Sequence, residues 1–90
     1  MLKPIYTKSF RKDLKLMGKR GWDLDKLGKI IKMIINEQPL STERHNHPIH
    51  GEWEGAFDCH IQGDWVLIYK INPKKRTVTF HHTGSHSDLF

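Results

Sequence analysis

The sequence predicts an α+β fold in which two helices pack on one face of an antiparallel sheet, in the order β-α-α-β-β-β. Two patterns carry this prediction. Apolar residues recur with a helical period between residues 9 and 36, whereas strand-forming residues alternate with polar ones from residue 56 onward. All seven histidines follow residue 44, so the strand-rich half also holds the side chains that exchange protons near neutral pH.

The first two elements are a short strand and an amphipathic helix. Residues 3–7 are β-prone, and Pro4 restricts them to an edge strand or the start of a strand. A helix follows, because Phe10, Leu14 and Met17 recur at i, i+4 and i+7 with basic residues between them.

The second helix has clearer boundaries. Asp23 is a good N-cap, and Pro39 stops the helical pattern. Six apolar residues form a wide stripe that we expect to face the core: Leu24, Leu27, Ile30, Ile31, Ile34 and Ile35. The short link between the helices predicts an antiparallel helical hairpin.

Three further strands are predicted in the second half. In residues 56–62 apolar and polar side chains alternate, which puts Asp58 and His60 on the open side of the sheet, away from the helices. Residues 64–71 are apolar on both faces, as in a central strand, and residues 76–82 form the last strand. Short connections between these strands predict an antiparallel meander.

Length and composition bound the class of protein. Ninety residues suffice for one modest core, so residues 1–90 are expected to be a single domain. No apolar run is long enough to span a membrane, and the N-terminus has no signal-peptide pattern. The single cysteine, Cys59, excludes an internal disulfide and is typical of a reducing cytoplasm.

The charge is unevenly distributed along the chain. Residues 1–36 hold ten Lys and Arg against three Asp and Glu, a net charge of +7, whereas residues 37–90 hold five against seven. A basic half indicates a polyanionic partner such as RNA, or an acidic protein. The alternative is a solvated helix face that happens to be rich in lysine.

Several side chains in the second half suit proton transfer or base stacking. His60 and Asp64 flank a predicted tight turn, where a carboxylate can fix the tautomer of an imidazole; the alternative is an exposed pair without a function. His86 and Phe90 lie in a tail that either frays or folds onto the sheet, and a ring beside a proton-transfer group suits a nucleotide. Trp65 offers another ring, although such residues are more often core.

A metal site is a third interpretation of the histidines. His45, His47 and His50, together with the pair His81 and His82, supply enough nitrogen atoms for one. Their spacing matches no standard zinc module, so we expect neither a metal nor another cofactor.

Three motifs together resemble the YafQ-type toxins of the RelE superfamily. They are HP-x-x-G-x-W from His47, H-x-x-x-D-W from His60, and G-[ST]-H-x-x-x-F from Gly84 to Phe90. The resemblance spans nearly the whole chain and implies one RelE-like toxin domain over residues 1–90. It also implies the toxin half of a type II toxin–antitoxin pair, active in the cytoplasm.

The resemblance implies a ribosome-dependent mRNA endonuclease that inhibits translation. Cleavage needs no metal, because the ribose 2′-OH attacks the adjacent phosphate under general acid–base catalysis. The implied partners are the ribosome, mRNA and a DinJ/RelB-like antitoxin, with a ribbon-helix-helix domain and an acidic C-terminal segment, in a hetero-oligomer. The residues carried over as catalytic are His47, His60, Asp64, His86 and His82. Those carried over as substrate-binding are Trp65, Phe90 and His81.

The chain departs from the family at His82, where these toxins carry an arginine that steadies the phosphate. Regular strand alternation puts His82 on the side of Val78 and Phe80, toward the helices, and puts His81 on the open side. The resemblance instead puts His82 in the site, which requires a bulge near Thr83 and Gly84 or a strand that runs past the helices. The missing arginine also supports an alternative, a degenerate relative that binds RNA or antitoxin without efficient cleavage.

Overall fold

The computed structural model describes residues 1–40 and 55–89, together with the backbone of His47–Pro48. The elements are β1 (Lys3–Tyr6), α1 (Lys8–Lys19), α2 (Leu24–Ile35), β2 (His47–Pro48), β3 (Phe57–Gln62), β4 (Trp65–Asn72), β5 (Thr77–Ser85) and α3 (His86–Leu89). The predicted order is confirmed, with two additions: β2, and the single helical turn α3 at the end of the last strand.

The strands form one sheet in the order β1-β5-β4-β3-β2. The predicted antiparallel meander is confirmed for β3, β4 and β5, but the sheet is mixed because β1 pairs with β5 in parallel. The strand β1 lies beside the last strand of the meander and not beside its sequence neighbour. The chain between β1 and β5 contains both helices and the strands β2, β3 and β4, so it is far longer than the crossover that parallel pairing needs.

Both long helices begin at side-chain caps. The hydroxyl of Thr7 accepts a hydrogen bond from the backbone N–H of Phe10, and the carboxylate of Asp23 accepts from the N–H groups of Asp25 and Lys26. The predicted cap at Asp23 is therefore confirmed. The predicted apolar stripes face the core for the most part, since α1 and α2 bury residues Phe10, Met17, Leu27, Ile30, Ile31 and Ile34. The prediction was wrong for Leu24, which lies in the first turn of α2 and is 39% exposed.

The sheet has two different faces. Cys59, Leu67 and Phe80 are fully buried in the core under the helices. Because side chains alternate along a strand, Asp58 and Val66 point to the opposite side, which we call the far face. None of the helices in the described ranges is long and apolar enough to cross a membrane.

Candidate active site

A β-bulge in β5 determines which side chains reach the far face. Tyr69 of β4 pairs with Phe80, but its neighbour Ile68 pairs with His82, so His81 is the additional residue. The bulge shifts the alternation by one position, and His82 thereby leaves the helix side of the sheet. Regular alternation was therefore wrong for His82. The expected bulge is present, at His81 and not at Thr83 and Gly84.

Two rows of paired residues cross the far face. Ile68 pairs with both Asp58 of β3 and His82 of β5, and directly paired residues lie on the same face. In the next row Val66 pairs with His60 on one side and Gly84 on the other. Val66 and Ile68 are 0% exposed and form an apolar floor on β4. His60 and Asp58 lie on one side of this floor, and His82 lies on the other.

The turn α3 carries His86 back over this floor. Gly84 permits the approach, because a Cβ at this position would lie 3.1 Å from Oδ2 of Asp88. Ser85 and Asp88 form a capping box: the N–H of Ser85 donates to Oδ2 of Asp88 over 2.9 Å, and the N–H of Asp88 donates to Oγ of Ser85 over 3.1 Å.

An ion pair ties the same turn to the end of α1. Nη1 and Nη2 of Arg20 donate to the two carboxylate oxygens of Asp88 over 2.7 and 3.1 Å. The hydrogen bonds from Arg20, and next the backbone N–H of Ser85, hold the pKa of Asp88 well below its ordinary value. One helical turn is unstable by itself, so this ion pair and the capping box are what position His86.

Three side chains meet where α3 crosses the far face. Nδ1 of His86 lies 2.6 Å from Oδ1 of Asp64, and the ring centroids of His86 and His60 are 5.4 Å apart. A carboxylate oxygen only accepts, so Nδ1 of His86 is the donor, and Nε2 is the nitrogen that can exchange a proton. The side chains of His86 and Asp64 are 42% and 60% exposed, which leaves the pair open to a substrate.

Asp58 adds a second carboxylate to this cluster. One ligand atom each from Asp58, His60 and His86 lie within 4.8 Å of one another, a grouping that can hold a metal ion. Two imidazoles and one carboxylate are ligands that zinc and copper accept. Sequence reasoning missed Asp58 as a site residue, although its alternation with His60 already placed both on one face.

A second histidine–aspartate pair lies at the edge of β5. Nδ1 of His82 is 2.9 Å from Oδ2 of Asp13 on α1, and the same oxygen accepts the backbone N–H of Thr83 over 3.2 Å. These side chains are less exposed than the first pair, at 26% for His82 and 23% for Asp13.

His81 has a different electrostatic setting from its neighbour. Burial is the main cause that lowers the pKa of His81, followed by the charges of His82 and Lys70. His81 therefore favours its neutral form.

Comparisons with known proteins identify the family to which this chain belongs. The family model described as "Bacterial toxin of type II toxin-antitoxin system, YafQ" matches residues 2–90. The chain is also 40% identical over 86 residues to the mRNA interferase toxin YafQ of Escherichia coli K12, covering 94% of this chain and 91% of the relative. The chain belongs to the YafQ family of toxins. It is thus the toxin of a type II toxin–antitoxin system, and the predicted endoribonuclease class is confirmed by the names of its relatives.

Two solved structures of YafQ-like proteins extend the comparison. A metal-bound toxin from Helicobacter pylori superposes with a TM-score of 0.93 at 38% identity, covering 100% of both chains. The YafQ protein in the E. coli DinJ–YafQ toxin–antitoxin complex superposes with a TM-score of 0.90 at 37% identity, covering 99% of this chain and 97% of that one. The predicted RelE-like fold is confirmed.

The remaining residues predicted from the YafQ resemblance occupy different settings. His47 lies at the register position opposite Asp58, in the row that also contains Ile68 and His82. Its side chain lies outside the described residues, as do His45, His50 and Phe90.

Trp65 is buried, with 4% of its surface exposed, and its indole N–H donates to Oγ1 of Thr83 over 2.8 Å. Its ring nevertheless lines a cleft of ≈ 640 Å³ that also borders Asp64 and Trp22. Direct stacking of an RNA base on Trp65 stays a prediction, and the ring's observed contacts are those of a core residue.

Proposed function

We propose that residues 1–90 form a single toxin domain that cleaves mRNA on translating ribosomes in the cytoplasm. The arrangement of Asp64, His86 and His60 is the observation that carries this proposal. It brings two imidazoles and a carboxylate to an exposed part of the far face, where an RNA strand has access. Membership of the YafQ family supports RNA as the substrate, because the curated relatives are named mRNA interferases.

The proposed reaction is an internal transfer at one phosphate of the RNA. A base removes the proton of the ribose 2′-OH, the 2′-oxygen bonds to phosphorus, and the bond from phosphorus to the 5′-oxygen breaks as an acid protonates that oxygen. The products are a 2′,3′-cyclic phosphate and a 5′-OH end. His60 and His86 are the proposed proton-transfer groups, with Asp64 fixing the His86 tautomer through Nδ1.

His47 and His82 complete the proposed catalytic set. The register position of His47 is opposite Asp58, one strand from His60, which supports a role at the same phosphate. His82 is proposed to supply positive charge where the family has arginine, since a cation stabilises the charge that develops on the phosphate oxygens. His81, Trp65 and Phe90 are proposed to contact the substrate around this set.

Ribosome dependence is proposed from size and charge. A chain of 90 residues offers little surface for gripping mRNA alone, while residues 1–36 carry a net charge of +7 that can bind phosphates of ribosomal RNA. Primer extension on a translated message should show cuts in register with the codons. Equal cutting of the same RNA by the pure protein without ribosomes would contradict this proposal. Cutting by neither route would favour the degenerate relative.

The proposed protein partner is a DinJ/RelB-like antitoxin with an acidic segment that folds on binding. A similar YafQ protein has been solved in complex with DinJ. This chain has an apolar groove of ≈ 430 Å³ between β1, α1 and α2, whose lining includes Tyr6, Leu24 and Lys32. An amphipathic acidic segment matches both the apolar lining and the positive charge of the helices.

Two leucines provide a matched test of the antitoxin surface. Leu24 lines the groove and is 39% exposed, whereas Leu16 is 42% exposed on α1 and is not among the groove residues. Leu24→Asp should weaken calorimetric binding of the antitoxin about tenfold or more, and Leu16→Asp should weaken it much less. Equal losses for both variants, or none for either, would contradict docking in the groove.

Metal binding at the same cluster is a second candidate property. Asp58, His60 and His86 present three converging ligand atoms, and the similar H. pylori toxin was solved with a bound metal. A metal on these nitrogens would block the lone pairs needed for proton transfer, so we propose that it inhibits cleavage. Titration of metal-free protein with zinc should give one site that His60→Ala removes. Full activity at saturating zinc would contradict the inhibition.

A further inference from the structure

Asp13 occupies the edge of β5 at the point where β1 has ended. Thr7, which follows β1, still bonds this edge, because its hydroxyl is 3.3 Å from the carbonyl oxygen of Phe80 and 3.0 Å from that of His81. The next edge group is the N–H of Thr83, and it donates to Oδ2 of Asp13. A side chain from α1 thus continues the pairing that β1 can no longer supply.

The same carboxylate oxygen orients His82. Oδ2 of Asp13 lies 2.9 Å from Nδ1 of His82, and a carboxylate accepts only, so the ring donates through Nδ1. Because this oxygen is already bonded to the backbone of β5, its position is set by the strand that carries His82. The imidazole is therefore held in one orientation, with Nδ1 toward Asp13 and Nε2 as the second nitrogen of the ring.

The orientation matters because of where His82 stands. The bulge at His81 puts His82 on the far face, in one row with Ile68 and Asp58. Among the described residues, the charged and titratable groups near it include Asp13 from α1, His81 from its own strand with Lys70 of β4 beyond it, and Asp58 across the row. The register position of His47 lies in the same row.

We infer that Asp13 is a positioning residue, which holds His82 through Nδ1 so that its imidazolium can face the RNA phosphate. This inference rests on the proposed endonuclease function and deepens it. An arginine needs no such support, because its guanidinium is always charged and its donors are fixed in a planar fork. A histidine has no such fork, and a hydrogen bond at Nδ1 fixes the direction in which Nε2 points.

The first test is spectroscopic and is independent of catalysis. Long-range ¹H–¹⁵N spectra of the free protein should show His82 protonated at Nδ1 in the parent chain. In Asp13→Asn the ring signals should move toward the mixed tautomers of a free histidine. Unchanged His82 ring signals in Asp13→Asn would overturn the inference. Asp25→Asn, an exposed aspartate on α2, is the matched control for the lost charge and should leave these signals unchanged.

The second test is kinetic and uses a double-mutant cycle on programmed ribosomes. Asp13→Asn should lower kcat about tenfold with a smaller change in KM, as expected for a misplaced catalytic group. In a His82→Gln background the same substitution should change kcat less than about twofold, because non-additivity reports shared action. An equal loss in both backgrounds would show that Asp13 acts on the fold and not through His82.

Two controls separate the possible failures. Asp13→Glu keeps the carboxylate and should retain part of the parent's rate. This variant therefore tests the role of Asp13 even if Asp13→Asn fails to fold. Inclusion of His60→Ala tests the proposed function itself. If His60→Ala cleaves normally, the proposed function fails even where the spectra still show the Asp13–His82 pair.

Discussion

Two histidine–aspartate pairs, one on the far face and one at the edge of β5, differ in how they are held. In the pair of His86 and Asp64 the side chains are 42% and 60% exposed, and His86 stands on a single helical turn. In the pair of His82 and Asp13 both partners are mostly covered, and the carboxylate is also bonded to the backbone N–H of Thr83.

The difference matches two chemical tasks. A group that exchanges protons must reach both water and substrate, and the exposed His86 beside His60 satisfies this requirement. A group that supplies positive charge acts best when its orientation is fixed before the reaction. The covered His82, which is bonded to Asp13, meets this requirement. Substitutions in each pair test whether His86 exchanges protons and whether His82 supplies positive charge.

The largest effect is expected for the exposed pair. His86→Ala and His60→Ala should each lower the cleavage rate by about 100-fold or more, which is the scale for a lost general acid or base. Both variants should stay folded, because neither ring belongs to the buried core. Rates are measured on programmed ribosomes, with circular dichroism as the control for folding. A variant with the parent's rate would remove that histidine from the proton-transfer set.

A smaller loss is expected when the support of His86 is removed. Arg20→Gln breaks the bidentate ion pair with Asp88 and should lower kcat about tenfold, since α3 then moves more freely. Arg76→Gln is the matched control, because Arg76 makes a similar bidentate pair with Glu37 away from α3. Equal losses in the two variants would show that any surface ion pair has this effect.

The pH dependence of the Arg20→Gln effect follows from Asp88. The pKa of this carboxyl lies below its ordinary value of 3.8, so the ion pair is fully formed above that value and is lost only as the pH falls through the lowered pKa. The ratio of the parent's rate to that of Arg20→Gln should therefore be constant between pH 6 and 8.5. A ratio that changes within this window would assign the effect to another titrating group.

The covered pair should respond to a permanent charge. A guanidinium is always charged, whereas an imidazole is charged only when protonated, so His82→Arg should raise the cleavage rate several-fold over the parent's at pH 8. The rates are measured on programmed ribosomes. His81→Arg is the control and should show no such rise, because burial and its neighbours favour neutral His81. A rise for His81→Arg alone would mean that the other histidine serves the phosphate.

The order of the elements could be predicted from the sequence because each has a local signal. Asp23 caps a helix that its own neighbours define, and the buried stripe of α2 has a helical period. The pairing of Asp64 with His86 was not predicted, since it depends on how α3 folds back over Gly84. The contact between Asp13 and His82 spans 69 residues and leaves no local pattern in the sequence.

The bulge at His81 shows where pattern reasoning fails. Strand alternation assumes one residue opposite one residue, and a single additional residue reverses the face of every later side chain. The family resemblance gave the correct face for His82 because an alignment of motifs does not depend on that assumption. Trp65 was predicted either to stack on a base or to belong to the core. Its ring is buried and donates a hydrogen bond to Thr83, as in a core residue, but the residue also lines the cleft beside Asp64.

The smallest effect concerns the helix side of the sheet, below both pairs. Trp65→Phe removes the indole N–H that donates to Thr83, whose hydroxyl in turn donates to the carbonyl oxygen of Val66. The free energy of unfolding should fall by at least about 1 kcal/mol, the usual net value of one hydrogen bond, because the smaller ring also leaves part of the buried Trp65 site unfilled. Urea denaturation measures this loss, and it should be non-additive with that of Thr83→Val. Strict additivity would show that the hydrogen bond contributes little.

The central claim is that His60 and His86, the latter oriented by Asp64, transfer protons in an attack by the ribose 2′-OH on its own phosphate. Analysis of the RNA ends after cleavage on programmed ribosomes tests it most directly. The account predicts a 2′,3′-cyclic phosphate on the upstream fragment and a 5′-OH on the downstream one. It also predicts that a message with a 2′-deoxy nucleotide at the cut position resists cleavage. A 5′-phosphate on the downstream fragment, or undiminished cutting of the 2′-deoxy message, would contradict the account.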